Sequence, residues 1–370
     1  MFTMITKTAH LLELVAQAKS AEAIALDTEF FWERTYYPRL GLIQLAVSGD
    51  ECHLIDPLAV GDLRPLGALL ANRGVVKIFH DAAQDLAILY RATGVAAHNV
   101  FDTRLAAGFA SLPSTLSLAA LIRELLDIDL AKTETRSDWL RRPLSAEQLE
   151  YAKDDVRYLH ALRLLLLNRI IGPKVKAWLQ EDLALYNNPH CYISDGSGRY
   201  QRLRGASTLP PSGAAILRRL FDWREETARA DDKPRGHIIP DAGLLAIAHQ
   251  PPADIPALRD LGLSSQAISR YGGAIITLCT ETLAAPEKVA TATEKTWRLS
   301  ATEKEMLGRL QEMIRLKSDI LGIDPVLIGN SDELRAVARF LAEGASPPEH
   351  LRPLSGWRMT FLEDFFHHNG

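Results

Sequence analysis

Ile24-Ala25-Leu26-Asp27-Thr28-Glu29-Phe30 is an apolar run that ends in two carboxylates spaced i and i+2. The apolar part reads as a mostly buried β-strand. Residues two apart on a strand share a face, so Asp27 and Glu29 project side by side from its end. Burial and mutual repulsion both disfavour such a pair. A hard divalent cation such as Mg²⁺ or Mn²⁺ offsets that cost, because it takes carboxylate oxygens as ligands. A solvated strand end is the plainer alternative. Further ligands elsewhere in the chain must separate the two.

Around this strand the pattern is that of a sheet with helices. Residues 3–19 read as a strand and then a helix, with Leu11, Leu12 and Val15 at helical spacing. Residues 41–47 and 52–55 read as two strands joined at Ser48-Gly49-Asp50. With the first strand they suit a three-stranded antiparallel meander. The pattern then changes to strand 75–79, helix 82–90, strand 100–101 and helix 103–110. Such alternation argues for parallel additions to the sheet. Helices are expected over 117–126 and 146–167, the latter capped at Ser145. The expected fold class is α/β, a mixed sheet flanked by helices, over residues 1–186.

Residues 187–208 break the periodicity with Asn187-Asn188-Pro189 and Pro210-Pro211 just beyond, and read as a linker. Arg199, Arg202 and Arg204 make it locally basic, which suits a solvated linker or a phosphate contact. Strand signals almost vanish after that. Residues 209–284 and 301–370 read as two small all-α domains, with a second linker at 285–300. Each has a long first helix, a loop and several short helices, which suggests a duplication. Helices are expected at 264–271 and, separately, at 272–282.

The chain has 370 residues, 47% hydrophobic and 24% charged, with a net charge of -4. That length suits two or three domains, and the balance suits a globular chain. A strongly basic, histone-like protein is excluded, but local basic patches are not. Cys52, Cys191 and Cys279 are far apart and form no CxxC, so a reducing cytoplasm is expected. The run at 162–171 is interrupted by Arg163 and Arg169 and is too short to span a bilayer, so no membrane partner is expected.

Two further places offer ligands. Asp85 follows the 75–79 strand, at the carboxyl edge of the sheet where α/β sites are built. Taken alone, it is better explained as an acid favouring a helix N-terminus. Tyr151 and Asp155 are spaced i and i+4, on one helix face. An acidic surface with Tyr151 packed on the core explains them as well. Asp102-Thr103 reads as a helix cap.

Taken together, the order acid-x-acid on a first strand, acid after a later strand and Tyr-x-x-x-Asp on a late helix resembles the DEDD exonuclease superfamily. It resembles the tyrosine subclass, and within it the ribonuclease D family. Thr35-Tyr36-Tyr37-Pro38, Leu42-Ile43-Gln44-Leu45, Leu54-Ile55-Asp56-Pro57, Phe101-Asp102-Thr103 and Arg136-Ser137-Asp138-Trp139-Leu140 carry the likeness through the first half of the chain. Phe221-Asp222-Trp223-Arg224-Glu225 with Pro234-Arg235 resembles an HRDC domain, and Leu321-Gly322-Ile323-Asp324-Pro325 fits a second copy. The resemblance implies a ribonuclease H-like sheet followed by two HRDC-like domains.

It also implies a chemistry. Asp27, Glu29 and Asp155 would hold one of two divalent ions, Mg²⁺ or Mn²⁺, with Asp27 bridging to the second and Asp85 serving that second ion. Two such ions about 3.5–4 Å apart can stabilise the attacking and leaving oxygens of an in-line displacement. Tyr151 would orient the attacking water. The implied reaction is 3′→5′ hydrolysis of RNA to nucleoside 5′-monophosphates, with tRNA precursors as the usual partner and tRNA 3′-end maturation as the role. Phe30, His80, Lys132 and Arg136 are candidate substrate contacts. The neighbouring aromatics Phe31, Trp32, Tyr36 and Tyr37 suit base stacking or core packing, and Arg142 suits phosphate contact or solvation. No GxxxxGK[ST] motif occurs, so no nucleotide cofactor is expected. A DNA 3′→5′ exonuclease and a non-catalytic RNA-binding scaffold remain the alternatives.

Overall fold

The computed structural model describes residues 2–130, 137–193, 199–284, 299–343 and 351–367. Lys132, Arg136 and most of the expected 285–300 linker lie outside the described residues. The chain divides into two compact units. One comprises Met1–Phe31, Leu40–Ile193 and Arg298–Gly370; the other comprises Trp32–Arg39 and Ser194–Trp297.

The first unit opens with β1 (Phe2–Ile5), α1 (Thr8–Ala18), β2 (Ala23–Phe31), β3 (Arg39–Ser48) and β4 (Glu51–Ile55). Then come α2 (Pro57–Val60), α3 (Arg64–Leu70), β5 (Val76–Phe79), α4 (Ala83–Thr93), β6 (Val100–Asp102) and α5 (Thr103–Gly108). Helices α6 (Leu118–Leu126), α7 (Ala146–Arg157), α8 (Leu159–Arg169) and α9 (Pro173–Ala184) follow. The strands form a six-stranded sheet in the order β1-β4-β3-β2-β5-β6. β3 and β4 pair antiparallel, whereas β1 with β4, β2 with β5 and β5 with β6 are parallel. The mixed α/β sheet is therefore as expected, with β2 at its middle.

Strand alternation sorts the side chains into two cores. Ala23 and Ala25 of β2, Leu42 and Ala46 of β3, and Leu54 of β4 pack with Ala152 and Val156 of α7. Ile24, Leu26, Ile43, Leu45 and Ile55 face the opposite way, against Leu11 and Leu86 of the other helix layer. Odd-numbered β2 residues thus face α7, which puts Asp27 and Glu29 on that side.

The helix expected over 146–167 is two helices that meet at Tyr158. The break lets them cover different strands: α7 lies against β2 and β4, α8 against β2 and β5. Sequence reading assigned nothing to α9, which starts with Pro173 at its first turn.

The first unit also contains three helices from beyond residue 300, α15 (Ala301–Leu321), α16 (Ser331–Glu343) and α17 (Gly356–His367). Leu310, Ile314, Leu327, Val337, Trp357 and Phe361 share the core of the sheet's α7 face. A buried ion pair locks them in place: Arg358 donates Nη1 and Nη2 to the two oxygens of Asp182 at 2.8 and 2.7 Å. Arg358 Nε donates to the Leu327 carbonyl, and Trp357 Nε1 to Asp182 Oδ1. Trp357 stacks on Trp178, with ring centroids 4.9 Å apart.

The α-helices of the second unit are α10 (Pro211–Ala230), α11 (Arg235–Ile238), α12 (Asp241–His249), α13 (Ala257–Asp260) and α14 (Ser265–Ala284). α14 is a single helix, where two were expected with a break before Gly272. Glycines weaken a helix interior by about 1 kcal/mol each, but packing of α14 along α10 carries it through. Tyr36 belongs to this unit and is buried. Its hydroxyl donates to Glu225 Oε2 at 2.7 Å and accepts from Arg229 Nε and Arg235 Nη2 at 3.0 and 3.1 Å. Of the two roles open to Tyr36, core packing is the one observed.

Asp182→Ala would strand Arg358 as an uncompensated buried charge, with an expected loss of about 3–5 kcal/mol. Urea denaturation reads this directly. A midpoint equal to that of the parent protein would show that the Asp182–Arg358 pair contributes nothing to holding the unit together.

Candidate metal and hydrolysis site

Asp27 stands at the middle of β2 and Glu29 nearer its carboxyl end, and α7 brings Asp155 over them. One carboxylate oxygen from each of the three lies within 4.8 Å of the others. α7 starts at a capping box in which Ser145 and Gln148 bond each other's backbone. Its register then sets Tyr151 and Asp155 on one face. Asp154 is turned aside and accepts from Arg157 Nη1 at 3.0 Å. Tyr151 is half-buried, with its ring 6.1 Å from that of the buried Trp139.

Asp85 comes from the other helix layer, in the first turn of α4. It is buried, and its Oδ1 accepts from the Thr28 backbone N–H at 3.1 Å and from the Thr28 hydroxyl at 2.5 Å. Asp85 is outside the three-acid group but beside it, for its charge is the largest single influence on Asp27 after burial. Sequence reading passed over Thr28. Alternation turns it away from Asp27 and Glu29, toward α4, and that is what lets it hold Asp85.

The electrostatics express the crowding. Burial, then Asp85, Asp155 and Glu29, hold the Asp27 carboxyl well above the usual carboxylate range. Burial with Asp155 and Asp85 pushes Glu29 up to about 9. Burial raises Asp85 to about 7 against the opposing hydrogen bonds from Thr28. Burial, Asp154 and Asp85 raise Asp155 to about 7. Burial and the nearby Asp155, Glu29 and Asp27 also raise the Tyr151 phenol, which stays protonated. Asp155 Oδ2 is buried with no hydrogen-bond partner among the described residues. All-oxygen carboxylate donors, mutual repulsion and an orphaned buried oxygen fit a hard divalent cation.

The tentative substrate contacts fare differently. Phe30 is half-buried and, by alternation, points away from the Asp27 and Glu29 face. His80 is held at low pKa by burial, and its ring nitrogens have partners within the fold, Thr103 Oγ1 at 2.9 Å and the Leu116 carbonyl at 3.1 Å. Arg142 forks onto Asp56 at 2.6 and 2.8 Å and also donates to the Gly41 carbonyl at 2.7 Å. Of the two roles weighed for Arg142, phosphate contact and solvation, the fold shows neither; it is an internal brace. Gly41 has no room for a side chain, since a Cβ there would meet the Trp139 carbonyl oxygen at 2.6 Å.

Known proteins share this plan. Residues 2–171 match the 3′-5′ exonuclease family, and residues 213–279 match the HRDC domain. The ribonuclease D of Desulfotalea psychrophila is 48% identical over 365 residues, which cover 98% of this chain and 97% of that one. The ribonuclease D of Xanthomonas oryzae is 36% identical over 97% of this chain and 96% of that one. The crystal structure of Escherichia coli RNase D, described as an exoribonuclease involved in structured RNA processing, superposes with a TM-score of 0.87. It is 27% identical and covers 100% of this chain and 98% of that one. No helix among the described residues is long and apolar enough to cross a membrane. By its sheet, its HRDC region and the full-length likeness to these relatives, the chain belongs to the ribonuclease D family of 3′→5′ exoribonucleases.

Proposed function

We propose that Asp27, Glu29, Asp85 and Asp155 hold two divalent ions, Mg²⁺ or Mn²⁺, and that the enzyme releases nucleoside 5′-monophosphates from the 3′ end of tRNA precursors. The observation that carries this reading is the group of three carboxylates within 4.8 Å, one with an orphaned buried oxygen. When bound, such ions supply positive charge to the attacking and leaving oxygens of a phosphodiester. The protein's own share is positional. Asp27 and Glu29 are set by β2, Asp155 by the capped α7, and Asp85 by Thr28. Tyr151 keeps its proton, so its hydroxyl can orient a water without acting as a base.

The structured-RNA processing described for the E. coli relative supports our reading of a role in tRNA 3′-end maturation. We place the enzyme in the cytoplasm, where Cys52, Cys191 and Cys279 stay reduced. We read residues 1–186 as the exonuclease domain, with 209–284 and 301–370 as HRDC-like modules.

A time course on RNA with a 5′ label and a free 3′-OH tests the assignment, beside DNA of the same sequence. Metal-dependent, stepwise shortening of the RNA is expected. Asp27→Ala and Asp155→Ala should fall to background, and Tyr151→Phe should lose about 10²-fold with its fold intact. Full activity in Tyr151→Phe would remove the hydroxyl from the mechanism, and equal shortening of DNA would overturn the RNA preference.

The raised carboxyls also predict a pH dependence. Each keeps its proton longer in the folded chain than in the unfolded one, whose carboxyls titrate near 4. The native state therefore binds more protons between pH 4 and the raised values of about 7 and 9. In chelator, stability should be full at low pH and decline as pH rises through that window. Added Mg²⁺ or Mn²⁺ should restore more stability at pH 9 than at pH 5. Asp155→Asn should relieve the decline by about 1–3 kcal/mol. Melting curves that are flat with pH in chelator would contradict the crowding.

A further inference from the structure

Asp102 ends β6 and is 2% exposed. Its carboxylate accepts the backbone N–H of Arg104 at 2.9 Å and of Leu105 at 3.3 Å, and so caps its own helix, α5. It also accepts the N–H of Asp81 and of Ala82, both at 3.0 Å. Those two groups lie at the entrance to α4, where Ala82 has no side chain able to cap. One carboxylate therefore serves two helix starts from the strand between them. The Tyr186 hydroxyl completes the set, donating to Asp102 Oδ2 at 2.7 Å.

The turn that Asp102 holds is an unusual one. Asp81 has φ of 63°, in the left-handed region that non-glycine residues rarely adopt. His80, one residue earlier, is tied to Thr103 and to Leu116. Residues 80–82 are thus pinned by partners from 102–104 and 116, while Tyr186 holds Asp102. Their trajectory runs straight into the first α4 turn, which carries Asp85. Asp85 must meet Thr28 on β2 and stay beside Asp27.

We infer that Asp102, braced by Tyr186, is the positioning residue for Asp85: it sets the 80–82 turn, and through it the place of Asp85 in the acidic group. This rests on the reading of Asp85 as a metal-site acid. A cap that matters only for stability would show in melting temperature. A positioning residue shows in metal affinity, and its effect passes through Asp85.

The test uses full-length Asp102→Asn, Tyr186→Phe, Asp85→Ala and the Asp85→Ala combinations of the first two. Mn²⁺ binding by isothermal titration calorimetry, kcat and KM on RNA, and melting temperature are measured for each. Asp102→Asn should weaken Mn²⁺ binding about 10–100-fold, the range typical of residues that orient metal ligands. Its kcat should fall by a similar factor, with KM for RNA within about threefold. Tyr186→Phe should show the same split at the lower end of that range, about tenfold. In the Asp85→Ala background neither substitution should weaken Mn²⁺ binding further.

Unchanged metal affinity in both single variants would overturn the proposal, as would losses that add to that of Asp85→Ala. Should Asp102→Asn fail to fold, Tyr186→Phe and its combination with Asp85→Ala decide by the same criteria. Wild-type metal affinity and turnover in Asp85→Ala would instead sink the reading of Asp85 itself, and this inference with it. A working Asp85→Ala and an additive double variant are different results, so the two failures are distinguishable.

Discussion

Like charges held at close quarters are the constraint that the exonuclease unit is built to sustain. Asp27, Glu29, Asp85 and Asp155 all have their ionised forms disfavoured, by burial first and by one another second. No isolated strand or helix would keep such groups together, because each could relieve the repulsion by turning to solvent. The fold removes that freedom from two sides. The odd-numbered face of β2 is covered by α7, and the opposite face by the layer containing α4. The acids meet where the two layers reach the carboxyl half of the same strand.

Groups outside the acidic set bear much of the restraint. Thr28 spends its hydroxyl and its N–H on Asp85. The Ser145–Gln148 capping box sets the start of α7 and so the register of Tyr151 and Asp155. Asp102 gathers the entrances to α4 and α5 on one carboxylate. Asp56 and Arg142 tie the end of β4 to the loop that leads into α7. Hydrogen bonds to ionised groups are stronger than neutral ones, which suits them to hold a site whose own charges push apart.

The helices after residue 300 are part of the same physical object as the sheet. Trp178, Trp357 and Phe361 pack in one core, and the Asp182–Arg358 pair is satisfied by four hydrogen bonds, two between its members, one from Trp357 and one to the Leu327 carbonyl. A buried ion pair is retained at a desolvation cost and punishes any rearrangement that separates its members. The 209–284 region is organised differently, around α10 and α14, with Tyr36 contributed from the segment that follows β2.

The sequence by itself determined the class of the fold and the local pairing of its acids. Short apolar runs at 24–30, 41–47 and 52–55, the last two joined at Ser48-Gly49-Asp50, mark strands. The i,i+2 and i,i+4 spacings place Asp27 with Glu29, and Tyr151 with Asp155, because those relations are local. Only the tertiary structure decided the rest. Whether Asp85 joins the acids depends on Thr28, 57 residues away in sequence. Arg142 is a brace and no phosphate contact because Asp56 lies 86 residues from it in the chain and within 2.6 Å in space. The break at Tyr158 and the unbroken α14 follow from what each helix must cover. Local periodicity carries no information about such distant partners, and it is those partners that settle where a charge points.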